Sequence, residues 1–134
     1  MNELWVDANI LLRFITKDPP DLAERAYRLV ARAERGEVQL RVTLLVVAEA
    51  VWVLGSYYRF SRRQIADVML PLIVADGVVT EQLDVVVGAL SVMASANVAF
   101  VDAFLAEVAR RSSGTVASFD RDFGRLDVQW VQPD

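Results

Sequence analysis

Four carboxylates occur in settings that suggest chemistry. Asp7 ends the apolar run Leu4-Trp5-Val6, and a second run, Ile10-Leu11-Leu12 with Phe14, follows almost at once. Glu49 lies among Val46, Val47, Ala48, Ala50, Val51 and Trp52. Asp102 precedes the small residues Ala103 and Ala106, and Asp120 follows Val116-Ala117-Ser118-Phe119. An unpaired charge is costly to bury, so Asp7 is expected at an edge of the core, at the C-terminal end of a strand. In open α/β sheets ligands bind at that edge. Carboxylates gathered there repel one another, and a hard dication relieves the repulsion. Mg²⁺ and Mn²⁺ favour oxygen ligands, and a metal-bound water is acidic enough to attack phosphorus.

Each acid also has a plainer reading. Asp7 suits a helix N-cap, Asp102 a first-turn acid favoured by the helix dipole, and Asp120 and Asp122 a turn. Glu49 resists such a reading, because an ionised side chain in an apolar helix needs a partner or a metal.

The elements that must position these residues follow from the hydrophobic pattern. A strand is expected over Leu4–Asp7, its apolar run short enough for a buried one, and a short helix over Asn9–Thr16, broken by Asp18-Pro19-Pro20. Helical periodicity runs from Asp21 to Arg35, with Gly36 after a basic last turn. Val38, Leu40 and Val42 alternate with polar residues as a strand near a sheet edge. An apolar helix spans about Leu44–Tyr58, buried on more than one side or buried against a partner. Ser61-Arg62-Arg63-Gln64 is a capping-box pattern opening the next helix. Gly77-Val78-Val79 is a brief strand, and a helix runs from Thr80 or Glu81 to near Asn97. Ala99–Arg111 is helical, and Thr115–Phe119 and Val128–Val131 are strands. Strands alternating with helices imply a parallel sheet covered on both faces. Parallel strands share one C-terminal edge, so all four acids are expected there.

Composition narrows the chemistry. The 134 residues, 54% hydrophobic and 24% charged, suit one globular domain, with no linker or repeat. There is no cysteine and no histidine, so catalysis rests on carboxylates, hydroxyls, Arg, Tyr or the single Lys17. A net charge of -4 argues against a simple DNA-coating protein. Local patches still matter, and thirteen of the fourteen basic residues are Arg, the better phosphate fork. No basic, cleavable leader and no apolar run of ~18 residues is seen, so a cytoplasmic, non-membrane protein is expected.

The motifs resemble those of the PIN-domain ribonucleases, specifically the VapC-type toxins of prokaryotic toxin–antitoxin pairs. Val6-Asp7-Ala8-Asn9-Ile10-Leu11-Leu12-Arg13 is similar to the family's Val-Asp-Thr-Asn-Val-Leu-Leu-Arg. Thr43 through Glu49 resembles its hydroxyl-rich lead into a helical Glu. Asp102-Ala103-Phe104-Leu105-Ala106 resembles Asp-Ala-Leu-Leu-Ala, and Ser118-Phe119-Asp120-Arg121-Asp122-Phe123 resembles Thr-Phe-Asp-Arg-Asp-Phe. The resemblance covers essentially the whole chain. It implies one PIN domain over residues 1–134, a three-layer α/β/α fold with a central, mostly parallel five-stranded sheet. It also implies Mg²⁺- or Mn²⁺-dependent endonuclease cleavage of RNA, leaving 5′-phosphate and 3′-hydroxyl ends.

By that likeness Asp7, Glu49, Asp102 and Asp120 are the catalytic metal ligands. Asp122 is an auxiliary acid, Asn9 shapes the site near Asp7, and Ser118 bonds a site carboxylate or places a water. Ala8 and Ser118 replace the usual Thr, and only Ala8 loses a hydroxyl. The likeness further implies a homodimer and a VapB-type antitoxin laying a helix or tail in an apolar groove, with Trp52, Leu54, Tyr57 and Tyr58 as surface candidates. Arg13, Arg59, Arg62, Arg63, Arg110, Arg111, Arg121 and Arg125 are candidates for RNA phosphates, with a solvated face as the alternative.

A phosphoacceptor receiver domain fits poorly, lacking an acidic pair at strand one and a late Lys. A metal-free PIN interaction module is disfavoured by the four acids. A PIN nuclease in RNA processing without an antitoxin is the main rival.

Overall fold

A computed structural model describes residues 2–134. The chain is α/β in class, with six helices and five strands among the described residues, every strand pair parallel. It forms two compact units, Met1–Leu83 and Asp84–Asp134.

In the first unit the order is β1 (Asn2–Trp5), α1 (Ala8–Thr16), α2 (Pro20–Glu34), β2 (Val38–Val42), α3 (Leu44–Ser56), α4 (Arg62–Ile73) and β3 (Val78–Thr80). The sheet order is β1-β2-β3. Val38, Leu40 and Val42 are buried with the apolar faces of the helices, including Leu11 and Leu12 of α1 and Val47 and Leu54 of α3. Two expectations are corrected here. β2 is the central strand, not an edge strand, because it pairs on both sides. β1 is exposed along its length and starts earlier than Leu4, with Trp5 69% exposed and only Val6 buried beyond it. The Arg41 guanidinium lies 5.9 Å from the Trp5 ring centroid and pairs with Glu3 at 2.7 Å, so a cation–π contact and a salt bridge cover this strand in place of a helix.

Local chemistry fixes the helix ends. The Ser61–Gln64 capping box is formed in both directions. The Thr43 Oγ1 accepts the Val46 N–H, and Glu81 accepts the Leu44 N–H, so two donors of the first turn of α3 are satisfied. α1 ends before the prolines, where Lys17 takes a left-handed conformation and returns its N–H to the Arg13 carbonyl.

The second unit carries α5 (Leu83–Ala96), α6 (Phe100–Arg111), β4 (Thr115–Ala117) and β5 (Gln129–Val131). A 3₁₀ turn over Arg121–Arg125, absent from the sequence expectation, separates the two strands. Ala106, Val116 and Phe123 pack with Leu126, Val128 and Trp130. The expected single five-stranded sheet is corrected: five strands form, as one ladder of three and one of two. β4 and β5 are three residues each and pair with one another, and beyond the Ser118 N–H, which still donates to the Val131 carbonyl at 3.1 Å, the chain leaves the ladder at Phe119. No helix among the described residues is long and apolar enough to cross a membrane.

Gly77 marks a close approach. Its φ is +80°, and a Cβ there would stand 2.2 Å from the Ala33 carbonyl oxygen. Gly36 has a similar φ of +78° with open space around it. Gly36→Ala is therefore expected to cost about 1 kcal/mol, from backbone conformation alone. Gly77→Ala is expected to cost at least about 3 kcal/mol, because backbone must also move. Urea unfolding of the two variants measures the difference, and equal losses would contradict the close packing of β3 on α2.

Candidate active site

Asp7 sits one residue beyond Val6, whose N–H donates to the Arg41 carbonyl at 3.1 Å and holds the chain against β2. Its side chain is exposed and caps α1, accepting the Ile10 N–H at 3.2 Å. The capping role and an outward-facing carboxylate coexist, since a carboxylate has a second oxygen to offer. Asp7 and Asn9 border a groove of about 660 Å³ between α1 and α2. Asn9 also borders a cavity of about 510 Å³ lined by Glu49, Tyr57 and Tyr58. Arg13 is shared by both, its Nη1 donating to the Asp18 carbonyl at 3.2 Å and the Tyr58 hydroxyl at 3.4 Å. The first unit thus gathers Asp7, Asn9 and Glu49 at adjoining cavities.

Glu49 corrects an expectation. It is exposed, so burial makes no demand for a partner. α3 is not buried all round: Leu45, Glu49 and Trp52 form a solvent-facing stripe at helical spacing, with Leu45 80% and Trp52 71% exposed. Tyr57 is exposed too, Tyr58 is half-buried, and Leu54 is fully buried, so Leu54 belongs to the core and to no surface.

In the second unit Asp102 is half-buried in the first turn of α6, a helix whose N-cap, Ala99, offers no side-chain acceptor. An acid in that turn complements the free N–H groups. Ser118, Asp120 and Asp122 form one tied loop. The Asp120 N–H donates to the Ser118 Oγ at 2.9 Å, and the Asp122 N–H donates to the Asp120 Oδ1 at 2.8 Å. The Ser118 hydroxyl therefore holds backbone. The Trp130 Nε1 donates to the Ser118 carbonyl at 3.0 Å and anchors the loop on β5. Asp122 pairs with Arg125 at 3.2 Å, and Arg125 also donates to the Ala96 carbonyl.

The donor set suits a hard dication, being all oxygen with no softer ligand. No group of three or more acidic side chains among the described residues is drawn together tightly enough to cage an ion. Mg²⁺ does not require such a cage, since it keeps several waters and takes one or two carboxylates plus substrate phosphate.

Glu107 stands outside the acids that the motifs single out. It is a buried acid, and its Oε2 accepts from Arg110 at 2.8 Å and Arg111 at 3.3 Å. Its spacing of three and four residues from two arginines is the sequence signal that marks it. The hydrogen-bonded carboxylate holds the Arg110 guanidinium above its ordinary pKa range. Arg111 also donates to the Asp84 carbonyl at 3.1 Å, linking the start of α5 and the end of α6. Arg110, Arg111 and Arg125 therefore have intramolecular partners and are poorer candidates for phosphate than their charges suggest.

The chain matches the PIN domain family over residues 4–129, and it belongs to that family. No curated protein matches it significantly. PIN domains are generally nucleases that act on RNA and typically use divalent metals. Glu107→Gln, which keeps the shape and removes the charge, is expected to destabilise the protein by about 1–3 kcal/mol in urea unfolding. An unchanged midpoint would show that the Arg110 and Arg111 pairs contribute no stability.

Proposed function

We propose that this PIN-family chain is a metal-dependent endoribonuclease of VapC type, the toxin of a toxin–antitoxin pair, acting in the cytoplasm as one PIN domain over residues 1–134. The observation that carries the proposal is the placement of Asp7 and Glu49 at adjoining cavities that share Asn9 and Arg13. These are the first two acids of the family pattern.

In this reading Asp7, Glu49, Asp102 and Asp120 hold Mg²⁺ or Mn²⁺ through oxygen. A bound ion supplies an acidified water and neutralises charge on the phosphate and the leaving oxygen. Asp7 is held in place by its cap on α1, so its free oxygen points from a fixed backbone. The Ser118 and Asp122 contacts fix Asp120 in the same way. Asn9 is an auxiliary residue beside Asp7. The reaction is hydrolysis of an RNA phosphodiester, leaving 5′-phosphate and 3′-hydroxyl ends.

The exposed Leu45, Trp52 and Tyr57 support a homodimer and a VapB-type antitoxin as partners, since exposed aromatic and aliphatic groups of this size mark protein interfaces.

Asp7→Asn tests the site. Asn is as good an N-cap as Asp, so α1 and the fold are retained while the anionic ligand is lost. Cleavage of RNA by the purified variant is expected to fall by about 100-fold or more, the size of a loss of about 3 kcal/mol of transition-state stabilisation. Undiminished cleavage with an unchanged circular dichroism spectrum would refute the assignment.

A further inference from the structure

The groove between α1 and α2 has a lining unlike the rest of this acidic protein. One face of α2 contributes Arg25, Arg28 and Arg32, and α1 contributes Arg13. Among the described residues that line it, Asp7 is the one carboxylate. Of the acids of α2, Glu34 lies off this face, while Glu24 stands beside Arg28 and Asp21 lies one turn before Arg25. Arg25, Arg28 and Arg32 follow one another at helical spacing, and at about 1.5 Å rise per residue they extend over roughly 10 Å. Arg25 makes no ion pair among the described residues. Arg28 pairs with Glu24 at 2.9 Å and Arg32 with Glu37 at 3.7 Å, all four side chains being well exposed to solvent, so both contacts are weak enough to exchange for a ligand. Leu22, Leu29 and Ile10 supply apolar floor between the charges.

We infer that this groove is a track for single-stranded RNA, its phosphates on Arg25, Arg28 and Arg32 and its course leading to Asp7. Four guanidinium groups and one carboxylate line the groove, the exposed ion pairs of Arg28 and Arg32 can yield to a polyanion, and guanidinium binds phosphate through two parallel hydrogen bonds. An apolar floor suits the exposed bases and ribose of a single strand, which a duplex would keep stacked within itself. The direction follows from Asp7, the acid to which a scissile phosphate must come. The inference rests on the nuclease reading for the identity of the polyanion, and its test is independent of cleavage.

The test is binding of a fluorescent oligouridylate by anisotropy, in EDTA, over a salt series. Arg25→Gln/Arg28→Gln is compared with the unsubstituted chain. The slope of log affinity against log salt is expected to shrink by about 1.4, about 0.7 for each single-strand phosphate that is no longer neutralised. Affinity at low salt is expected to fall about tenfold or more, and Arg25→Lys/Arg28→Lys should retain most of the slope. If the double glutamine variant unfolds by circular dichroism, Arg25→Gln alone should shrink the slope by about 0.7.

An unchanged slope, or no binding by the unsubstituted chain, overturns the inference. So does a Glu-rich peptide of matched charge that loses affinity on the same substitutions while the oligouridylate does not; the groove would then be a site for an acidic protein segment. Cleavage is read separately with Mg²⁺. A chain that binds through the groove but leaves RNA uncut keeps this inference and loses the nuclease. A chain that cuts but binds independently of Arg25 and Arg28 does the reverse.

Discussion

A single hydrogen bond from the Ile10 N–H to the Asp7 carboxylate sets the junction on which the first unit depends. β1 ends at Trp5, Val6 is pinned to β2 through the Arg41 carbonyl, and α1 begins at Ala8. Only two residues make the change from strand to helix. An acid at the second of them satisfies an otherwise open donor of the helix and remains exposed to solvent. The structural role and the proposed chemical role thus fall on the same side chain. Replacing it with a residue that cannot cap would disturb α1, and with α1 the walls of both neighbouring cavities.

Charge is sorted by the fold in a way the net value of -4 conceals. Glu107 engages Arg110 and Arg111, Asp122 engages Arg125, and Glu3 engages Arg41. Along α2, Arg28 and Arg32 pair with the exposed Glu24 and Glu37, and with Arg25 they line a groove in which Asp7 is the one lining carboxylate. A basic track on an acidic protein binds polyanions locally, while the overall charge limits non-specific adhesion.

Much of this was legible in the chain. The alternation of helices and strands, the Thr43 and Ser61 caps and the strand Val38–Val42 follow from periodicity and cap chemistry, which are local. The exposure of β1 was not legible. Leu4, Trp5 and Val6 read as an interior strand, whereas a cation–π contact to Arg41, remote in sequence, lets Trp5 stay outside. Glu49 failed in the same manner: apolar neighbours suggested burial, but neighbours in sequence lie on other faces of a helix, and its own stripe faces solvent. The groove arginines of α2 give no signal in the sequence, because their spacing of three and four residues is that of any solvated helix face. Only the packing of α1 beside them makes a groove of that face. The resemblance to PIN domains was readable in the motifs, and the PIN family match over residues 4–129 agrees with it.

The claim that Asp7, Glu49, Asp102 and Asp120 serve one ion site is tested most directly by Mn²⁺ binding, followed by electron paramagnetic resonance of the free ion. The account predicts saturable binding that weakens at least about tenfold in each of Asp7→Asn, Glu49→Gln, Asp102→Asn and Asp120→Asn. Binding that is lost with Asp7 and Glu49 but unaffected by Asp102 and Asp120, or unaffected by all four, would contradict it.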